Sequence, residues 1–133
     1  MTDKVAAALK KASAGLTYES ETDAPFEALA WKGVEGTPEK DQVLQLGKHG
    51  EDEPVEEESL EDFFGELTKE QDWHGKAEKA AVRRYRNLLK VIREQLTGAK
   101  VFKVGGGPRK AVYIVGRAKG GGWAGLKTTA VET

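Results

Sequence analysis

His49 stands directly before Gly50-Glu51-Asp52-Glu53, a run of hard oxygen donors of the kind a divalent cation accepts. The run lacks calcium-loop spacing, and neither His49 nor His74 has a second histidine at a helical interval, so no metal site of the chain's own is expected. The sequence contains no cysteine, which excludes disulfides and thiolate zinc or iron–sulfur chemistry. Gly105-Gly106-Gly107, Gly116 to Gly122 and Gly122 to Gly125 could each cradle a phosphate, but a phosphate loop must open a helix so that N–H groups and dipole face the anion. Each stretch is flanked by strand-like sequence, and hairpin turns account for the glycines. No serine sits in a nucleophile elbow, and the many carboxylates form no pair fixed by spacing. No catalytic constellation emerges, so a protein that is not an enzyme and needs no cofactor is expected.

The elements that would position any binding groups read as follows. Residues 2–14 suit a helix, with Val5, Ala8, Leu9 and Ala12 on one face and Gly15 at the exit. Thr17 to Asp23 reads as a polar loop. Phe26 to Trp31 and Gln42 to Leu46 read as short strands, and Lys48 to Glu58 as a polar loop. Ser59 followed by Asp62 marks a helix start, with Leu60, Phe63, Phe64 and Leu67 as its buried side. The strongest helical pattern runs from Lys76 to Leu96, where Ala77, Ala81, Tyr85, Leu88, Ile92 and Leu96 recur at three and four residues and Gly98 stops the run. Lys100 to Val104 and Ala111 to Val115 form a hairpin pattern, and Trp123 through Val131 a last strand. With 133 residues and no long linker, one domain spanning residues 1–133 is expected. Its class is α+β, an α-β-α sandwich around a mostly antiparallel sheet.

A net charge of −1 conceals a strong asymmetry. From Glu51 to Asp72 there are eleven acids and one base, a net of −10; from His74 to Lys119 there are thirteen bases and two acids, a net of +11. Lys79, Arg83, Arg86, Lys90 and Arg93 form a stripe on the long helix. Since the domain is not basic overall, that stripe reads first as a solvated helix face, and direct contact with nucleic acid is not expected. No apolar run reaches the roughly 20 residues of a membrane span, and the first fifteen residues lack the pattern of a signal peptide. A soluble cytoplasmic protein without membrane partners is the expectation.

Several landmarks, taken together, resemble the nuclease A inhibitor family. They are Ala12-Ser13 with Gly15-Leu16, Ser20-Glu21, Pro25-Phe26-Glu27 with Trp31 and Gly33, and His49-Gly50 with Asp52 and Pro54. Phe63-Phe64, Gln71-Asp72-Trp73, Leu88-Leu89, Val91-Ile92, Val112-Tyr113, Gly116, Ala124-Gly125, Thr128 and Val131-Glu132-Thr133 complete the set. The likeness covers nearly the whole chain, and the order and spacing of the landmarks make it specific. It implies an α-β-α sandwich that inhibits a magnesium-dependent, sugar-non-specific ββα-metal nuclease by occupying its substrate cleft. It implies further that Glu21 reaches basic groups in that cleft, that Thr133 approaches the catalytic metal held by the enzyme, and that Asp72 and Trp73 lie near the contact surface.

Elementary chemistry agrees with those roles. A nuclease cleft is built for a polyanion. Glu21 is bracketed by Glu19 and Asp23, and no base occurs between Lys11 and Lys32, so a carboxylate there can imitate a phosphate and accept an arginine. Glu132-Thr133 offers side-chain and terminal oxygens of the kind magnesium accepts. The expected partner-binding set is therefore Glu19, Glu21, Asp23, Asp72, Trp73, Glu132 and Thr133. Two departures from the family pattern are the basic, glycine-rich loop Gly105 to Lys110 and the more cationic long helix. Two alternatives remain at this point: a protein-interaction module of the same fold acting through the acidic 51–72 segment, and a nucleic-acid-binding domain acting through Arg83, Arg84, Arg86 and Lys90.

Overall fold

Along the strand Arg109–Ala118, Val112, Ile114 and Ala118 are buried on one side while Tyr113 and Val115 are buried on the other, so this strand must be covered on both faces. The computed structural model describes residues 2–19, 23–31, 36, 39–47, 49–50, 52–65, 67–69, 75–118 and 121–131; for residues 2, 3, 17, 19, 23 and 40 it describes the backbone alone. The elements run in the order α1 (Thr2–Ser13), β1 (Thr17–Glu19), β2 (Asp23–Pro25), β3 (Glu27–Trp31), α2 (Lys40–Leu46), β4 (Val55–Glu58), α3 (Leu60–Gly65), α4 (Lys76–Gln95), β5 (Leu96–Val104), β6 (Arg109–Ala118) and β7 (Trp123–Val131). One five-stranded sheet has the order β3-β7-β6-β5-β4, and β1 and β2 form a separate two-stranded ribbon. Every described pair is antiparallel.

Helices cover both faces, as expected of an α+β sandwich. On one face, Val5 and Leu9 of α1, Phe63 and Phe64 of α3, and Tyr85, Leu88 and Ile92 of α4 pack on Val101, Val112, Ile114, Ala124 and Leu126. On the other, Val43 and Leu44 of α2 pack on Phe102, Val104, Tyr113, Val115 and Trp123. Each large apolar side chain so buried contributes about 1.5–3 kcal/mol. The Trp123 indole N–H, otherwise a costly buried donor, bonds the Gly36 carbonyl at 2.8 Å.

Four elements differ from the sequence reading. Thr17 to Asp23 is not simply a loop: its ends pair as β1 and β2, three-residue strands too short and too polar to show a period. Gln42 to Leu46 is helical rather than extended. The Glu39 carbonyl accepts from the Val43 N–H at 3.0 Å, and the Val43 carbonyl accepts from the Gly47 N–H at 2.9 Å. The adjacent apolar pair Val43-Leu44 suits one face of a helix, where neighbours lie about 100° apart, and not one face of a strand. Within Lys48 to Glu58, Val55–Glu58 is an edge strand whose three glutamates disguise it. Gly98 does not stop α4; the chain passes straight into β5 at Leu96, and Gly98 (φ 63°) serves the register shift between Thr97 and Lys100. A residue in the left-handed region is what such a bulge requires, and glycine takes it without strain.

The helix starts obey local rules. Ser59 Oγ accepts from the Asp62 N–H at 3.1 Å, and Glu78 Oε2 accepts from the Gly75 N–H at 3.1 Å. In the β6–β7 pairing, a Cβ on Gly125 would run into the Ile114 carbonyl. Nothing lies near a Cβ on Gly50. Gly125→Ala is therefore expected to destabilise by about 1–3 kcal/mol or more, whereas Gly50→Ala stays within about 0.5 kcal/mol of the parent, as read by urea unfolding.

Candidate protein-binding surface

β7 is held on both sides. Glu27↔Lys127 through Trp31↔Trp123 are its rungs with β3, and Arg109↔Val131 through Arg117↔Trp123 its rungs with β6. Ala124, Leu126 and Ala130 anchor it through one face, and Trp123 through the other. Because β3 and β7 are antiparallel, the chain traced back from Glu27 towards Asp23 runs the same way as β7 does from Lys127 towards Val131. The β1–β2 ribbon thus continues the β3 edge towards the C-terminal end of β7. The buried Thr128 hydroxyl donates to the Ala24 carbonyl at 3.3 Å and ties the two together. On the other flank Tyr18 stacks on Phe63, with ring centroids 5.1 Å apart and planes within 16°. Arg84 donates to the Ala14 carbonyl, joining α4 to the chain that enters the ribbon.

Among the expected contact residues, Glu19 and Asp23 are the last described rung of the ribbon and oppose each other through their backbones. Their side chains, and the whole of Glu21, Asp72, Trp73, Glu132 and Thr133, lie outside the described residues. The fold brings together the stem leading to the first loop and the strand leading to the last two residues. Sequence reasoning missed Arg109 in this neighbourhood. It is exposed and forms the rung opposite Val131, which only the β6–β7 register reveals.

The two charged halves of the sequence meet each other. Glu57 lies 3.1 Å from Lys100, Glu58 3.5 Å from Lys103, Glu56 3.9 Å from Lys110, and Glu61 2.8 Å from Arg93. The β4–β5 register sets Glu57 and Glu58 beside Lys100 and Lys103 of β5, whereas Glu56 reaches across to Lys110 of β6. The exposed Glu61 carboxyl is held below its ordinary range, first by a backbone N–H and then by Arg93. Surface pairs of this kind contribute little individually, but they line an edge strand with charge and so blunt it.

His49 is not isolated either. Its Nε2 lies 2.6 Å from the Tyr113 hydroxyl and its Nδ1 3.0 Å from Glu53 Oε2. In the tautomer that suits both partners, Nδ1–H donates to Glu53 and the Tyr113 hydroxyl donates to Nε2. Among the described residues no group of His, Asp and Glu could hold a metal ion. No described helix is long and apolar enough to cross a membrane.

A family model described as nuclease A inhibitor-like protein matches residues 3–133. The chain belongs to the nuclease A inhibitor-like family. No curated protein matches it in a comparison of sequences. Family membership supports a nuclease-inhibitor role in general terms, and a role outside catalysis. Many of the residues that carry the family likeness are structural. Phe63, Phe64, Leu88, Ile92, Val112, Tyr113, Gly116, Ala124, Gly125 and Thr128 are all buried. The likeness therefore reports the sandwich more directly than the surface it presents. His49, another of these landmarks, packs edge-on against the Tyr113 ring.

Burial, and secondarily the Glu53 carboxylate, push the Tyr113 hydroxyl above the ordinary tyrosine range. The fold favours the neutral phenol. Its contribution is complete below the unfolded value of about 10 and is lost as pH rises through the higher folded value. Urea unfolding from pH 8 to 12 is expected to show stability falling in the alkaline limb. Tyr113→Phe is expected to cost about 1 kcal/mol at neutral pH by stranding His49, and to flatten that limb.

Proposed function

We propose that the protein is a stoichiometric inhibitor of a magnesium-dependent, sugar-non-specific ββα-metal nuclease, acting in the cytoplasm by filling the enzyme's substrate cleft. Glu21, flanked by Glu19 and Asp23, imitates a nucleic-acid phosphate and accepts hydrogen bonds from cleft arginines. Thr133, with Glu132, approaches the metal that the enzyme holds, and Asp72 and Trp73 contribute to the rim. The chain supplies no metal, no cofactor and no catalytic group.

Family membership supports the inhibitor role, and the Thr128–Ala24 hydrogen bond is the observation that carries the mechanism. A cleft can admit two tips only if their stems lie side by side, and that bond joins the stem of the 19–23 loop to the strand running towards Thr133. The ion pairs between β4 or α3 and the basic elements weigh against a docking site formed by the 51–72 segment, since Glu56, Glu57, Glu58 and Glu61 already have partners within the chain.

Titration of a ββα-metal nuclease with the protein, followed by cleavage of plasmid DNA, tests the reading. Inhibition is expected to saturate at one equivalent. Glu21→Ala is expected to weaken it about 30-fold or more, the usual consequence of removing one member of a desolvated ion pair. Deletion of Thr133 is expected to weaken it as well. Full cleavage at molar excess of protein refutes inhibition of that enzyme; unchanged potency in both variants refutes the assigned tips.

A further inference from the structure

The fold places a second set of cations beside the long helix. α1 and α4 pack side by side on one face of the sheet, and α4 turns Val82, Tyr85, Leu88 and Ile92 inward. Lys76, Lys79, Arg83, Arg86 and Lys90 then recur at three and four residues along its exposed side. The fourteen helical steps from Lys76 to Lys90 make that row about 21 Å long. Beside it runs a groove between the helices, lined by half-buried Ala8, Ala12 and Ala80 and by exposed Lys11, Arg83 and Arg84. Lys4 and Lys10 extend the basic surface along α1. Among the described residues Lys4, Lys10, Lys11, Lys76, Lys79 and Arg83 make no ion pair, and Glu78 and Glu94 are the acids of α4. Four acids, Glu56, Glu57 and Glu58 of β4 and Glu61 of α3, answer Lys110, Lys100, Lys103 and Arg93, and on the row itself Glu94 lies 3.9 Å from Lys90.

We infer that this α1–α4 face binds the phosphate backbone of double-stranded nucleic acid without reading its sequence. A straight row of cations matches a linear array of phosphates. No Trp, Phe, Tyr or Leu is exposed among the described residues of α1 and α4. The face therefore has no platform for stacking unpaired bases and no apolar wedge for a lipid surface. The whole-chain charge argued against such contact; the folded charge distribution favours it, because on α4 Lys76, Lys79, Arg83, Arg84, Arg86, Lys90 and Arg93 outnumber Glu78 and Glu94. The inference is independent of the inhibitory reading and concerns a different set of residues.

Fluorescence anisotropy of a labelled 20-base-pair duplex, with magnesium chelated and no nuclease present, tests it. Binding at 50 mM salt is expected to weaken about a hundredfold or more by 200 mM, with a log–log slope near −4 for four or five phosphates. Lys79→Glu/Arg83→Glu is expected to abolish binding, and Lys79→Gln/Arg83→Gln to reduce the slope by about 2; circular dichroism checks that both variants fold. A duplex of unrelated sequence is expected to bind equally, and single-stranded DNA no better. Absence of binding at 50 mM salt overturns the inference, as does binding that survives the charge reversal in a folded variant. Preferential binding to polyglutamate, or to phosphatidylserine vesicles, overturns it in favour of an acidic protein or a membrane.

Discussion

The pinning of β7 between β3 and β6 is the constraint on which the rest of the molecule depends. A strand at the edge of a sheet, with one hydrogen-bonding neighbour, is easily lost to fraying. Here it has two neighbours, nine residues of register with β6, and side chains buried on both faces. The close approach at Gly125, the Trp123–Gly36 bond and the Thr128–Ala24 bond all follow from that position. So does the placement of the β1–β2 ribbon, which has little core of its own and leans on β7 and on Phe63.

Charge is organised by the same sheet. The acidic run of the sequence becomes an edge strand and a short helix, and its carboxylates meet lysines and an arginine of the elements they pack against. What looks in the sequence like a molecule with two poles is thus partly self-compensated, through four ion pairs. The compensation stops there. The outer surface of α1 and α4 keeps its cations, while the loop between Glu19 and Asp23 belongs to a stretch with no base between Lys11 and Lys32.

Periodicity made the large elements legible. Tyr85, Leu88 and Ile92 declare α4, and the alternation around Tyr113 declares a strand buried on both faces. The elements that stayed hidden are those held by something other than a repeating apolar pattern. β1 and β2 offer one aromatic, Tyr18, and β4 is stabilised by cross-strand ion pairs with residues far along the chain, which no local window contains. His49 read as solitary because its partner Tyr113 is 64 residues distant. The proposed binding site was legible only through family resemblance. Glu21 and Thr133 carry no local signature beyond being acidic or terminal, and the buried landmarks that identify the family specify packing.

In the proposed complex the 19–23 loop and the last residues of the chain share one surface. The protein has no cysteine, so a nitroxide attached through Thr133→Cys is the sole label, and its effect on backbone amide signals can be read residue by residue. Selective broadening at residues 19–23, with the signals of α2 untouched, is the result this account predicts. Unbroadened signals at 19–23, with losses confined to another part of the molecule, would contradict it.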